Sequence, residues 1–258
     1  YVQGNESRAS HASMWTSTYP AVHRMIPGGN PGRVDTKWFT IDELMDAQGT
    51  FNFGVSANGY ITPKRGFGTK WDKYRNHIHD GGGLSAERLL TKVWEILNGK
   101  EKEPWFGYIG FIDTHVSWRA KEPWISRYMA PGYKGRFKTI ASGKDIEMVA
   151  TGKIKISDED KDQVRALYDS NVSYQDQKLG EMLAKLEELG IADDTMLIIT
   201  ADHGDELFEA GRVGHGASLR ESLVHVPLVI HYPKLFPAKA VPEGAEVVDV
   251  VPTLADVF

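Results

Sequence analysis

The stretch TADHGDELFEAGRVGHG, Thr200–Gly216, places acidic and imidazole side chains directly after an apolar run. Asp202 and His203 can offer a carboxylate oxygen and an imidazole nitrogen to one divalent cation. His215 lies between two glycines, which let a ligand approach the backbone and leave the imidazole uncovered. Because histidine titrates near neutral pH, His215 suits proton transfer or contact with an oxyanion. These residues predict a metal site; the alternatives are a helix-capping turn and an ordinary loop histidine.

Two further segments carry side chains that could do chemistry. GFIDTHVSW places His115 just beyond a buried apolar run, where it could protonate a leaving group, and a loop histidine satisfied by backbone is the alternative. NESRASHASMWTSTYP gathers hydroxyl groups and His11 in a turn that leads into a helix. A serine there could act as a nucleophile beside an anion-binding helix N-terminus, and serine-rich helix capping is the alternative.

Alternating helices and apolar strands must position these residues. Continuous apolar runs indicate buried strands, and apolar residues at helical spacing, closed by glycine, indicate helices between them. The pattern predicts an α/β fold with a mostly parallel sheet sandwiched by helices, whose site lies outside the carboxyl ends of the strands, where Asp113 and Asp202 stand. The predicted helices span residues 35–49, 84–99 and 157–190, and the predicted strands lie within 50–59, 105–113, 195–202 and 224–233.

Composition bounds the class of protein. The chain has 258 residues, 41% hydrophobic and 25% charged, which favours one large domain over residues 1–258. The net charge of −5 argues against nucleic acid as a partner, and the absence of cysteine excludes disulfides, thiolate metal sites and cysteine nucleophiles. No apolar run reaches membrane-spanning length. Residues 119–156, rich in Gly and Lys without clear periodicity, predict an insertion near the site.

Together these segments resemble the sulfatases of the alkaline phosphatase superfamily. Residues 200–233 are similar to that family's module of strand, DHG, G[HK]G, E and VPL, and PWFGYIGFIDTHVSW resembles its strand ending in an Asp-x-His turn. ASMWTSTYP is similar to the family's ASLLTGxYP segment. Counting back from it aligns Ser7 with the nucleophile of the signature C/S-x-P/A-x-R, with Ala9 in agreement and His11 in place of the arginine.

The resemblance implies an alkaline phosphatase-like fold and hydrolysis of a small-molecule or carbohydrate sulfate ester. It implies Ser7, or the formylglycine made from it, as the nucleophile, and Asp202 and His203 as ligands of one divalent metal ion. Calcium is the expected metal, with manganese or magnesium as alternatives. His115 would be the leaving-group acid and His215 the cationic or hydrogen-bonding contact.

The resemblance also implies what accompanies this catalytic core. Asn58 is expected to line the pocket, and the compartment is expected to be periplasmic or extracellular. The chain starts without Met or an export signal, which suggests that it begins in mid-domain. A first strand carrying an aspartate pair that completes the metal site is expected before Tyr1, and a smaller subdomain after Phe258.

Because His11 stands in place of the signature arginine, two other functions remain as alternatives. A plain serine suits phosphoryl transfer better, because a serine sulfate ester has no easy hydrolytic exit, whereas a formylglycine hydrate can expel sulfate by re-forming the aldehyde. A phosphodiester or phosphonate ester hydrolase is therefore the alternative, although the D-x-x-x-H pair of the two-zinc branch is absent near Asp113 and Asp176. A non-catalytic relative that binds ligands is the third, and the retention of so many site residues argues against it.

Overall fold

The computed structural model describes residues 1–26 and 32–258. Its helices and strands alternate along much of the chain. The helices are α1 Ser7–Thr16, α2 Pro20–His23, α3 Ile41–Ala47, α4 Ala86–Leu97, α5 Gly143–Ala150, α6 Asp158–Glu188, α7 Glu221–Val224 and α8 Val250–Val257. The strands are β1 Phe51–Ser56, β2 Lys73–Asn76, β3 Trp105–Gly110, β4 Trp118–Arg119, β5 Ile140–Ala141, β6 Leu197–Thr200, β7 Glu206–Leu207, β8 Val213–Gly214 and β9 Leu228–His231.

Three parallel strands form a sheet in the order β2-β1-β3. Successive side chains of a strand point to opposite faces, so Trp105 and Ile109 of β3 pack with α4, whereas Phe106 and Tyr108 pack toward α1 and α8. Helices therefore cover both faces, which confirms the predicted α/β class. Strand β2 was not predicted, because its sequence KYRN is polar and it pairs only at the sheet edge.

A second, two-stranded sheet pairs β6 with β9 in antiparallel orientation. Both strands fall within predicted strand segments, and β6 ends directly before the Asp202–His203 turn. Met196 and Ile198 pack against the same apolar cluster as β3's Tyr108. This shared cluster brings the loops after β3 and β6 to one region of the molecule.

The predicted helices occur, with shifted ends. Helix α6 begins after Ser157, whose side chain forms a capping box with Asp160, and α4 follows Ser85. Helix α3 is shorter than predicted, because Thr40 caps it and Phe39 lies outside it, 56% exposed. Within residues 1–26 and 32–258, no helix combines the length and apolar character needed to cross a bilayer.

Residues 119–156 contain β5, α5, one residue of β4 and a short 3-10 helix at Trp124–Arg127. They enclose a separate apolar cluster in which Trp118, Phe137 and Ile146 pack against Val164 and Leu167 of α6. Helix α5 also contacts β8, the strand immediately before His215. The segment thus lies beside the predicted site.

Candidate active site

Helix α1 presents Ser7 at its first position and His11 one turn later. The Ser7 hydroxyl accepts a hydrogen bond from Asn58 Nδ2 at 2.9 Å. His11 Nδ1 donates to the Ser7 backbone carbonyl at 2.8 Å, which leaves Nε2 to pair with the Tyr108 hydroxyl, also at 2.8 Å. Burial raises the pKa of Tyr108 well above its usual value, so its hydroxyl stays protonated within this pair.

The carboxylate of Asp202 faces this helix from the loop after β6. Its Oδ2 lies 3.4 Å from His11 Nδ1 and 3.7 Å from His203 Nε2. Burial by itself would raise the pKa of Asp202, but His11, His203 and the Ser7 hydroxyl outweigh it and hold that pKa well below the usual range. Asp202 is therefore ionised at neutral pH, and its carboxylate can bind a cation.

Asp202 and His203 fit as two ligands of a divalent metal ion. His203 Nδ1 donates to the Gly204 carbonyl at 2.9 Å, so in the neutral ring the Nε2 lone pair faces the Asp202 carboxylate. His203 Nε2 and Asp202 Oδ2, the two atoms that could bind a metal ion, lie 3.7 Å apart. Among the residues that the structure describes, no group of three or more His, Asp or Glu side chains forms a candidate metal site, so Asp202 and His203 by themselves could supply only part of a coordination shell.

A row of three histidine rings extends from this pair. The ring centroids of His203 and His215 are 4.3 Å apart, and those of His215 and His115 are 5.1 Å apart. His215 Nδ1 pairs with Asp205 Oδ1 at 2.8 Å, and this hydrogen bond raises the pKa of His215 against the opposing effect of burial. His215 therefore favours the cationic form, which suits contact with an anionic group.

The pKa of His115 is shifted in the opposite direction, downward. It follows β3, and its Nδ1 donates to the Val116 carbonyl. Burial lowers the pKa of His115, and the neighbouring His215 lowers it further. The two adjacent imidazoles thus have pKa values displaced in opposite directions, an arrangement typical of groups with different roles in proton transfer.

The structure brings all six predicted site residues into one connected group. Asn58, expected to line the pocket, touches the predicted nucleophile. Two members were missed from the sequence, Tyr108 and Asp205. Tyr108 lies in an apolar run that predicts a buried strand, and its hydroxyl is the only sign in the sequence that it could pair with a polar group. Asp205 lies in DHGDE, and the sequence pattern indicates no partner for its carboxylate.

Asp113 does not belong to this group, because its carboxylate forms contacts that hold other elements together. Its Oδ1 pairs with Lys121 Nζ at 2.6 Å, and its Oδ2 accepts from the Ala86 backbone at the start of α4, at 2.8 Å. Lys121 also lies over the Tyr174 ring, 4.0 Å from its centroid. This buried carboxylate fixes α4 and residue 121 at the end of β3.

A family model described as Sulfatase matches residues 1–258. The chain belongs to the sulfatase family. This confirms the resemblance inferred from the DHG and Ser7 segments. Family members generally use a divalent metal and formylglycine.

This sulfatase chain is similar in sequence to a choline-sulfatase and in fold to a phosphonate monoester hydrolase. The choline-sulfatase of Rhizobium meliloti (strain 1021) is 35% identical over 101 residues, which cover 39% of this chain and 19% of the relative. A phosphonate monoester hydrolase from Silicibacter pomeroyi superimposes with a TM-score of 0.75 at 20% identity, covering 99% of this chain and 64% of that one.

A solved sulfatase-fold structure in complex with its substrate, D-glucosamine-2-N,6-O-disulfate, superimposes with a TM-score of 0.72 at 17% identity. It covers 99% of this chain and 67% of the other. These similarities confirm the alkaline phosphatase-like fold. The chain spans only part of the length of the proteins it matches.

Proposed function

We propose that this chain is the catalytic part of a metal-dependent hydrolase of sulfate esters. The observation that carries the proposal is that His11 contacts both Ser7 and the Asp202 carboxylate, from which the histidine row extends, so that one small volume holds a candidate nucleophile, candidate metal ligands and groups able to carry protons. The substrate is a small-molecule or carbohydrate sulfate ester. The Ser7 hydroxyl, or a hydroxyl of the hydrated formylglycine made from it, attacks the sulfur while the bond from sulfur to the alcohol oxygen breaks, and the hydrate then expels sulfate by re-forming the aldehyde.

The protein groups around the nucleophile have separable roles. Asn58 orients the Ser7 oxygen through its amide. His215, whose cationic form the hydrogen bond to Asp205 stabilises, neutralises charge on the nonbridging sulfate oxygens, and His115 donates a proton to the departing alcohol. Because burial lowers the pKa of His115, its protonated form is a stronger acid than an ordinary imidazolium.

Asp202 and His203 would hold the divalent metal ion, for which calcium is the first candidate and manganese or magnesium are alternatives. Such an ion supplies positive charge to the sulfate oxygens when bound. Asp202 suits this purpose because it stays ionised. His203 suits metal binding because Nδ1 donates its hydrogen to the Gly204 carbonyl, so that in the neutral ring Nε2 has a lone pair that can bind the ion.

The second candidate is a phosphonate or phosphodiester ester hydrolase with the same site. Two observations favour it: the position of the signature arginine is filled by His11, which is committed to Tyr108 and Ser7, and the fold superimposes on a phosphonate monoester hydrolase. A non-catalytic binding protein is the third candidate. The same experiment separates all three.

The test is the mass of the peptide that contains Ser7, isolated from full-length protein made in its native host and assayed in parallel on a sulfate ester and a phosphodiester. Conversion to formylglycine removes two hydrogens from Ser7. That loss together with sulfate ester cleavage supports the proposal. An unmodified serine with phosphodiester cleavage supports the second candidate, and an unmodified serine with neither activity supports the third.

A further inference from the structure

The Tyr60 ring lies near two arginines, one of which, Arg8, follows the predicted nucleophile Ser7 in the sequence. The guanidinium carbons of Arg8 and Arg65 lie 5.3 Å and 5.5 Å from the centre of the Tyr60 ring, within the range of cation–π attraction. Tyr60 is 50% exposed, although it is a large aromatic residue. The group Arg8–Tyr60–Arg65, called here the arginine–tyrosine cluster, is therefore a positively charged surface held together by a ring.

A chain of hydrogen bonds fixes this cluster relative to Ser7. Asn58 uses both ends of its amide: Nδ2 donates to the Ser7 hydroxyl at 2.9 Å, and Oδ1 accepts from the Tyr60 backbone N–H at 3.0 Å. Arg8 is the residue after Ser7. A ligand whose reacting group meets Ser7 therefore has the arginine–tyrosine cluster as an immediate neighbour.

The two cations are not equivalent. Arg8 donates to Glu6 Oε2 at 3.0 Å, so its charge is already partly neutralised. Arg65 forms no ion pair within 4.0 Å among residues 1–26 and 32–258. The Tyr60 ring reduces the conformational freedom of Arg65, which lowers the entropy cost of binding an anion. Of the two arginines, Arg65 is therefore the one available to bind an anion.

We propose that the arginine–tyrosine cluster selects substrates that carry a second anionic group, a sulfate or carboxylate, next to the ester that is cleaved. The proposal rests on the proposed function and narrows its substrate class to polyanionic esters. A planar guanidinium pairs with two oxygens of sulfate or carboxylate, which gives charge-assisted hydrogen bonds with defined geometry. A neutral leaving group would leave Arg65 unused.

Binding and turnover test this separately. In full-length protein with Ser7→Ala, the dissociation constants of N-acetylglucosamine 6-sulfate and N-sulfoglucosamine 6-sulfate are measured by titration calorimetry at 150 mM salt. These two sugars differ in the charge of one substituent. We expect the second to bind about tenfold more tightly, as one charge-assisted contact warrants.

Arg65→Gln should remove most of that preference, and Tyr60→Leu should reduce it because Arg65 loses its support. Lys64→Gln is the matched control, since Lys64 is an exposed cation in the same short 3-10 helix, Pro63–Arg65. It should leave the preference unchanged. Thermal unfolding of each variant shows that it is folded.

Equal binding of the two sugars by the Ser7→Ala protein, or equal effects of Arg65→Gln and Lys64→Gln, would overturn the inference. Neither result depends on catalysis. Absence of sulfate ester hydrolysis in the protein with Ser7 intact would instead contradict the proposed function while the binding preference still stood. The two failures are therefore distinguishable.

Discussion

His11 Nδ1 lies 3.4 Å from Asp202 Oδ2 while it donates to the carbonyl of Ser7. The residue that replaces the family's signature arginine thus joins the nucleophile's backbone to the proposed metal-ligand carboxylate. A guanidinium is always charged and can pair with a carboxylate through two N–H groups, whereas the single Nδ1–H of His11 is already donated to the Ser7 carbonyl, so His11 competes less for the Asp202 carboxylate. The substitution therefore leaves the site suited to binding a metal.

Replacement of Asp202 tests the metal assignment. We expect Asp202→Ala in the full-length protein to lower bound metal and ester hydrolysis together, with activity falling at least about 100-fold, because charge stabilisation by a metal is worth several kcal/mol. Metal content is measured by mass spectrometry of the purified protein. Asp193→Asn, an exposed carboxylate in a 3-10 helix, is the control. Full retention of both metal and activity in Asp202→Ala would refute the role.

The two histidines beyond His203 should differ in their dependence on the leaving group. His115→Ala should slow esters of poorly activated alcohols by about 100-fold or more and activated aryl esters much less, since only the former need a proton. His215→Ala should slow both classes to a similar extent, because it removes charge stabilisation. The measurement is kcat/KM over a series of leaving groups. The reverse pattern would assign proton donation to His215.

Tyr108 should act by positioning His11. Tyr108→Phe removes the hydroxyl that pairs with His11 Nε2, and we expect a loss of about 1–2 kcal/mol in unfolding free energy and about tenfold in kcat with little change in KM. Urea unfolding and steady-state kinetics measure these effects. Tyr128→Phe, which loses an exposed hydrogen bond to Ser173, is the control. Identical kcat values for the two variants would show that Tyr108 is purely structural.

Protonation of His23 should make the free energy of unfolding depend on pH. It is buried between Ser13 Oγ and the Met25 backbone N–H, and burial lowers its pKa to about 4. Its unfolded-state pKa is about 6.5, so the unfolded chain binds more protons as the pH falls from 6.5 toward 4. The native state therefore loses stability over that window, by about 1–2 kcal/mol between pH 7.5 and pH 5.

Urea midpoints at the two pH values measure this loss. His23→Gln removes the titrating group and should make the pH dependence shallower by that amount. His225→Gln, at an exposed histidine, should leave the dependence unchanged. Equal pH dependence in the wild type and His23→Gln would rule out His23 as its source.

The positions of the main helices and strands were predictable, because they depend on local periodicity. Apolar spacing in α4 and α6 and continuous apolar runs in β1, β3 and β6 are properties of neighbouring residues. Helix ends were less well predicted, as Phe39 shows, since a capping residue competes with periodicity there. The polar edge strand β2 carries no such pattern and was missed.

The sequence by itself determined which side chains are available for chemistry: Ser7, His11, His115, Asp202, His203 and His215. It also determined that His115, Asp202 and His203 follow the ends of buried strands. Only the tertiary structure decided which of them pair. The contact of Tyr108 with His11 depends on how β3 packs against α1, and that of Asp205 with His215 depends on the pairing of β7 with β8. Their contacts arise from the packing of separate elements against shared apolar clusters, for which local residue patterns carry no information.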